Sequence, residues 1–357
     1  MAVSRINEAG LNVNQYGNRN ILMNGSQIIS QRGTSAITAS ASSDTFITDR
    51  FRISNYSDAT FTGQQVADAP TDFEYSCKVT TTGTDTSLAA GQYQRFITAI
   101  EGYNMNHLNY GSSGAKTCTL SFHVKSSLTG AFYVFGFNAA ANRSIVVGYT
   151  IDAANTWEKK TLTIAGDTSG SWNTTNGAGM YFGWSLGSGT NFHTTTTDAF
   201  QSGFYMAKSD QVNVAGTSSA TWQITGVQLE VGDTATDFEH RTFGDELQRC
   251  QRYCFVTPIG QTYSWTALSG YCNSTSNALT FYQYPVRMRA TPTLATSGSF
   301  QVADALSTYD ITSQSIADAT DYTARVDVGA SGLTAGRVAA VRNKNDATAK
   351  ITFDAEL

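Results

Sequence analysis

Two stretches of this chain alternate apolar and polar residues with a period of two. In "TCTLSFHVKS" Leu120, Phe122 and Val124 share one parity, while Ser121, His123 and Lys125 share the other. In "MYFGWSL" Met180, Phe182, Trp184 and Leu186 fall together. Successive side chains of a strand point to opposite faces, so the pattern fits a half-buried strand and not a helix. Comparable signals recur after the turn at Arg32-Gly33, separated by Gly, Ser, Asn and Thr clusters. About ten strands before residue 232 predict a large antiparallel sandwich of the jelly-roll kind.

Two segments bend the pattern. "FYVFGF" is apolar on both faces, with Phe132 and Val134 on one and Tyr133, Phe135 and Phe137 on the other. Such a strand belongs at the centre of a sheet, in a groove or at a subunit interface. In "WQITGVQLEV" the parity changes, since Trp222 and Ile224 precede Val227, Leu229 and Val231. Gly226 stands at the change and predicts a β-bulge that keeps both halves on the core. One helix is expected over 245–255, with Phe243, Leu247, Cys250 and Cys254 as its apolar stripe. Beyond it, "YPVRMRATPTL" and the tail return to strand signals.

The expected architecture is all-β. Residues 1–17 form an N-terminal arm for attachment, 18–242 a large antiparallel jelly-roll-like domain, 243–255 a short connecting helix, and 256–357 a smaller C-terminal β-sandwich domain. The charge balance narrows function: Lys+Arg 23 against Asp+Glu 28 gives a net charge of -5. A dedicated nucleic-acid binder needs a basic stripe, so no nucleic-acid partner is expected. No early stretch pairs a basic start with an apolar run, and no apolar run approaches spanning length. Neither a signal peptide nor membrane insertion is expected. Five cysteines (Cys77, Cys118, Cys250, Cys254, Cys272) are odd in number and read as reduced thiols.

Catalytic signals are absent. The four histidines (His107, His123, His193, His240) lie in unrelated contexts, and no Gly-x-Ser-x-Gly elbow appears. His240, Cys250, Cys254 and Cys272 are the residues from which a metal site would be built. Their spacing lacks the paired Cys-x-x-Cys knuckle, so they are read as packing residues and no metal is expected. Glu101, Asp152, Asp167 and Glu230 are the carboxylates a glycosidase would draw on, and sequence places no two of them at a working separation. Glu101 closes the apolar run "RFITAIEG"; a calcium ion on it is conceivable, and a strand-end residue in water or beside an arginine is the simpler reading. No cofactor is expected.

Sugar-binding chemistry is present. Aromatic faces stack on sugar C–H surfaces while amides bond the hydroxyls. "EGYNMNHLNYG" supplies Tyr103, Asn106, His107 and Tyr110, and "SGSWNTTNG" supplies Trp172 and Asn173. These six are the candidate carbohydrate-contacting residues. The competing reading makes Trp172 a plug for the sandwich end and the asparagines turn formers.

Several stretches together resemble one group of sequences, the tail-fibre and receptor-binding proteins of marine and other tailed bacteriophages with a carbohydrate-binding-module-like β-sandwich. The carrying residues are "NILMNGSQIISQRGT" (20–34), "ITDRFRI" (47–53), "RFITAIEGYN" (95–104), "TLSFHVKSS" (119–127) and "TIDAANTWEKKTLTIAGDTSGSW" (150–172). "ITGVQLEVGDTATDFEHRTFGDELQRCQRY" (224–253), "YPVRMRATPTL" (284–294) and "ITFDAEL" (351–357) complete the set. The chain departs from the group at His123, where an aromatic is common, and at Asp237, where a proline is common. The first bears on any binding face built around that strand.

The resemblance implies a structural, non-enzymatic virion protein, made in the host cytoplasm and carried on the tail fibre or capsid surface. It implies a homotrimer, contacts to other virion proteins through residues 1–17, and adhesion to host cell-surface polysaccharide. Two alternatives stand beside receptor adhesion: a capsid-decorating or adaptor fibre with a purely architectural role, and a polysaccharide depolymerase.

Overall fold

The computed structural model describes residues 18–357. The attachment arm expected at 1–17 lies outside the described residues. The chain divides into two compact units, one ending at Phe243 and one beginning at Gly244.

The first unit holds thirteen strands: β1 Ile37–Ala39, β2 Ser43–Thr48, β3 Phe51–Tyr56, β4 Thr60–Val66, β5 Ser76–Gly83, β6 Tyr93–Glu101, β7 Cys118–Ser126, β8 Gly130–Asn138, β9 Arg143–Ile151, β10 Glu158–Ile164, β11 Ala178–Ser188, β12 Gln201–Ser202 and β13 Thr221–Val231. They form a six-stranded sheet, β1-β4-β5-β13-β7-β10, and a seven-stranded sheet, β12-β9-β8-β11-β6-β3-β2. The chain changes sheet repeatedly, between β3 and β4, β5 and β6, β6 and β7, and β7 and β8. This is the jelly-roll-like sandwich the alternation predicts. Three more strands than expected are present, and the surplus includes short pieces such as β1 and β12.

Aromatic rings tie the two sheets together. Phe122 of β7 meets Trp184 of β11 at 5.6 Å, and Phe96 of β6 meets Trp222 of β13 at 5.4 Å between ring centroids. Leu120, Phe122 and Val124 are buried, as are Met180, Phe182, Trp184 and Leu186, so both alternating runs point inward as read. On β13 the pairing with β7 shifts register between Thr225 and Gln228, and Gly226 takes φ 62°. The bulge therefore lies where the parity changes, and Trp222, Ile224, Val227 and Leu229 are all buried. Val231 departs from the pattern: it is 43 % exposed, beyond the end of the core.

The segment before β1 is held by buried polar groups. Asn20 accepts the Leu229 N–H at 3.1 Å and donates to the Val227 carbonyl at 2.9 Å, beside the β13 bulge. Asn24 accepts from the Ile29 N–H at 2.9 Å and donates to the carbonyls of Ile29 and Asp49. Asp49 accepts the Gln31 N–H at 3.0 Å, and Arg50 donates to the Ala99 carbonyl at 2.6 Å. Much of "NILMNGSQIISQRGT" and "ITDR" thus serves to close one flank of the sandwich. Buried backbone groups need such partners, and these side chains supply them.

β8 lies between β9 and β11, as a strand apolar on both faces should. Its outward residues Tyr133, Phe135 and Phe137 are covered by the chain's own segment carrying Phe192, Phe204, Met206 and Ala207. The second apolar face is thus a satellite core.

α1, Phe243–Gln251, the single α-helix among the described residues, starts on the last residue of the first unit and otherwise belongs to the second unit. Its strands are β14 Cys254–Thr257, β15 Trp265–Ala267, β16 Ser269–Cys272, β17 Asn277–Gln283, β18 Thr293–Ser297, β19 Phe300–Ala303, β20 Thr308–Ala317, β21 Thr323–Ala330, β22 Ala340–Asn343 and β23 Lys350–Asp354. A three-stranded sheet, β14-β23-β18, packs on a seven-stranded one, β15-β22-β19-β20-β21-β17-β16. Phe353 joins them, 5.2 Å from Tyr282 and 5.1 Å from Tyr284. The helix ends four residues before the expected position 255, because Cys254 pairs with Asp354 to open a strand. The expected stripe is corrected accordingly: Cys250 is buried on the helix, Cys254 is buried on β14, and Phe243 is 57 % exposed. Among the described residues no helix is long and apolar enough to cross a membrane.

Candidate functional site

The outward face of the seven-stranded sheet of the first unit carries the densest aromatic and cationic surface. Along β6 the residues alternate, so Phe96 and Ile100 enter the core while Tyr93, Arg95 and Ile97 face outward. Antiparallel register aligns neighbours on that face. Tyr56, Ser54 and Arg52 of β3 lie opposite Tyr93, Arg95 and Ile97 of β6, and Arg52 and Ser54 in turn lie opposite Phe46 and Asp44 of β2. From β11, Gly183 and Ser185 lie opposite Ile97 and Arg95, and Tyr181 lies opposite Phe137 of β8. The segment with Phe192 and Phe204 covers β8 and reaches Tyr93 and Arg95 of β6, and it leaves exposed or half-buried rings on the β3-β2 side.

On that side, Tyr56 is 38 % exposed and its ring lies 5.0 Å from that of Tyr93, which meets Phe192 edge-on at 5.0 Å. The Arg95 guanidinium lies over three rings, 4.8 Å from Tyr93, 5.4 Å from Phe137 and 5.7 Å from Phe204. Arg52 lies over Phe46 at 5.4 Å and Tyr181 at 5.8 Å, with its Nε 3.7 Å from Asp44. Burial pushes the Arg95 guanidinium below its ordinary range, and burial raises the Tyr93 phenol. Small residues lie between the large ones: at Gly183 a Cβ would stand 2.7 Å from the Phe96 carbonyl oxygen, so no side chain fits there. Between them Ser54, Gly183 and Ser185 are buried, and the Ser185 hydroxyl donates to Gln211 at 2.6 Å, so the accessible part of this face is Tyr56 with the half-buried rings around it. Rings that stack on C–H surfaces and donors that bond oxygens are the two needs of a sugar.

The six sequence-predicted residues lie elsewhere in the same unit. Their two segments do come together, since the Tyr103 N–H donates to the Thr175 carbonyl at 2.9 Å and the Gly111 N–H to that of Asp167 at 2.8 Å. Tyr103 is 57 % exposed, with Asn106 and His107 exposed near it; partial burial and Lys116 hold His107 below its usual range. Trp172 and Tyr110 are turned inward. Trp172 is 8 % exposed and forms a ring trio with Tyr110 at 5.1 Å and Phe200 at 5.4 Å, while its Nε1–H donates to the Ser169 carbonyl. The Asn173 side chain accepts the Thr175 N–H at 2.8 Å. Trp172 and Tyr110 thus plug the sandwich end and Asn173 shapes a turn, which leaves Tyr103, Asn106 and His107 accessible. Tyr56, Tyr93, Arg52 and Arg95 carry no loop signature, and only their shared strand parity marks them.

A second concavity, of about 550 Å³, lies on the opposite sheet. Phe73 is its centre, with ring centroids 5.3 Å from His123, 5.0 Å from Phe238 and 5.4 Å from His240; Asp72, Asp237 and Lys159 line its rim. In the second unit a concavity of about 480 Å³ presents Tyr271 and Phe281 beside Arg325 and Asp318.

The carboxylates have partners. Asp167 holds Arg143 through two bonds of 2.8 and 2.6 Å, and Glu230 accepts from the Thr236 N–H and hydroxyl and from Gln228. Asp152 lies 3.4 Å from Lys160, and Glu101 is buried at the end of β6. Among the described residues no three His, Cys, Asp or Glu side chains gather as a metal site. All five cysteines are free and buried, and burial pushes the Cys118 thiol up to about 11. Such thiols are poor nucleophiles.

No protein-family profile matches the chain, and no curated protein matches it in sequence. Among solved structures it is similar to the enzymatically active domain of tailspike protein 4 of bacteriophage CBA120, at 14% identity and a TM-score of 0.31, over 60% of this chain and 22% of that one. It is also similar to a carbohydrate-binding module of family 4, at 13% identity and a TM-score of 0.32, over 58% of this chain and 98% of that one. A family 11 module from Clostridium thermocellum, in complex with a β-1,3-1,4-mixed-linked tetrasaccharide, matches at 10% identity and a TM-score of 0.30, over 56% of this chain and 100% of that one. Likenesses at this level carry no weight for function.

Proposed function

We propose that this chain is a glycan-binding, non-catalytic protein of a tailed-phage virion, which presents the open half of the seven-stranded sheet to host-surface polysaccharide. The observation that carries the binding reading is the Tyr56–Tyr93 ring pair beside the aromatic-flanked Arg95 guanidinium. Exposed rings on a rigid sheet offer stacking at low entropic cost, and the adjacent donors select for oxygen-rich ligands. The resemblance of "NILMNGSQIISQRGT" and the segments after it to phage receptor-binding proteins supports a place in the virion. A shallow face binds weakly, so adhesion would draw on a homotrimer and many copies per particle for avidity. Asp167 and Glu230 are engaged in structural bonds, which favours binding over hydrolysis.

The test is a glycan array of bacterial surface polysaccharides probed with the purified full chain, with a reducing-end assay on whichever glycan binds. Binding without released reducing ends supports adhesion. No binding to any glycan leaves the architectural reading, and released ends leave the depolymerase reading. Sedimentation equilibrium at micromolar protein is expected to give a trimer, and a monomer would remove that part of the proposal.

A further inference from the structure

We propose that the outer face of the seven-stranded sheet of the second unit holds a separate glycan site, one that takes a neutral hexose oligosaccharide. The site lies wholly within the second unit and does not depend on how the first unit's face is used. On β17 Ala278, Thr280 and Tyr282 are buried, so Leu279, Phe281 and Gln283 face outward. On β21 the burial of Ala324, Val326 and Val328 turns Arg325 and Asp327 outward. Register sets Phe281 opposite Ser269 of β16 and Arg325 of β21, and Leu279 opposite Tyr271 and Asp327. Residues directly opposite one another share a face. The concavity of about 480 Å³ opens among them, with Asp318 on its rim. Its contact groups are open to solvent: Tyr271 and Phe281 are each 46 % exposed, and Gln283 and Ser269 are exposed beside them.

Tyr271 and Phe281 are diagonal neighbours on adjacent strands, roughly 7–8 Å apart at the backbone. Two rings so placed can each meet the C–H face of a sugar in one oligosaccharide. Arg325 donates through its Nε to Asp327 at 2.9 Å, and its Nη1 pairs with Asp318. The Arg325 side chain is 30 % exposed and that of Asp318 is 74 % exposed, so both keep accessible hydrogen-bonding edges. A guanidinium donor beside a carboxylate acceptor suits sugar hydroxyls, each of which both donates and accepts. Two carboxylates against one guanidinium leave the site with a net negative charge, which disfavours uronates and sulfates. Covering these charges with an apolar protein face would strip their water without replacing its hydrogen bonds, whereas sugar hydroxyls replace them.

The experiment is calorimetric titration of the full chain with glucan, mannan and galactan oligosaccharides and with a galacturonan oligosaccharide of equal length. Exchange mass spectrometry follows on whichever neutral one binds. The wild type is expected to bind at least one neutral oligosaccharide, with protection in residues 269–283 and 318–327. Combining Tyr271→Ala with Phe281→Ala is expected to weaken that binding about fivefold or more, from the loss of two stacking rings. Tyr56→Ala, on the first unit, is expected to leave it unchanged. Should the double variant fail to fold, the single variants give the answer, with an expected loss of about twofold or more each. No neutral binding, unchanged neutral binding in these variants, or protection confined to the first unit overturns the second site. Failure of the first unit's face as a glycan surface shows separately, as unchanged binding of the array-selected glycan in Tyr56→Ala. Galacturonan binding that falls in the double variant as far as neutral binding does overturns the choice of a neutral ligand. A smaller species in sedimentation of the double variant, with glycan binding intact, means that a second copy of the chain covers this face and also overturns the proposal.

Discussion

Tyr56 and Tyr93 face each other across β3 and β6 with ring centroids 5.0 Å apart, yet the two rings do different work. Tyr56 is the exposed member, while Tyr93 also props Phe192 of the segment that covers β8. Tyr56→Ala is expected to leave the melting temperature within about 2 °C of the wild type. Tyr93→Ala is expected to cost about 1–3 kcal/mol and to raise hydrogen exchange in residues 190–207. Denaturant unfolding and exchange mass spectrometry check the pair; equal effects would mean that Tyr93 does not support the cover.

Trp222 joins the sheets through Phe96 at 5.4 Å and Trp184 at 6.2 Å, and its Nε1–H donates to the Tyr149 hydroxyl at 3.4 Å. Trp222→Ala is expected to destabilise the first unit by about 3–5 kcal/mol, because a cavity opens between two sheets that cannot collapse together. Urea unfolding of the full chain measures it.

Asn24 satisfies three backbone groups at once, the N–H and carbonyl of Ile29 and the carbonyl of Asp49. Asn24→Ala strands them in a site without solvent access, at about 1–3 kcal/mol for each group left without a partner. Asn24→Asp keeps the acceptor but sets a buried carboxylate oxygen against two carbonyls, so it is expected to cost at least as much as alanine. Urea unfolding of the three proteins gives the order.

His123 predicts an acid-sensitive fold. Its burial, then Lys159, hold its pKa below the ordinary histidine value, and Asp72 only partly opposes them; Asp237 and His240 share the pocket rim. A folded pKa below the unfolded one means that the unfolded chain binds the proton more readily. Stability from the neutral imidazole is thus complete above about pH 6.5 and is lost as pH falls through the folded value. His123→Phe is expected to flatten the fall of melting temperature as pH drops below about 6.5, and His107, also held below its usual value, contributes to the same fall.

The sequence made the core legible because parity alone reports which side chains share a face. The inward sets of β7 and β11 and the Gly226 bulge follow from it. Other features depended on partners distant in the chain. Cys254 leaves the helical stripe because Asp354 offers a strand partner, a pairing that local periodicity does not encode. Trp172 and Tyr110 have the chemistry of a sugar site, but Phe200 completes their ring trio and turns them into a plug. The open half of the seven-stranded sheet was hidden for the same reason. Tyr93 and Arg95 share a parity in "YQRF", but that parity does not reveal that Phe192 and Phe204 pack against both and leave Tyr56 of β3 exposed.

The most direct measurement is calorimetric binding of the array-selected polysaccharide to the wild type, Tyr56→Ala and Tyr103→Ala. Stacking on an exposed ring contributes about 0.5–1.5 kcal/mol, or roughly two- to tenfold in affinity. The account predicts that loss for Tyr56→Ala and unchanged affinity for Tyr103→Ala. Full affinity in Tyr56→Ala together with a loss in Tyr103→Ala would move binding to the Tyr103, Asn106 and His107 corner and contradict the sheet-face assignment.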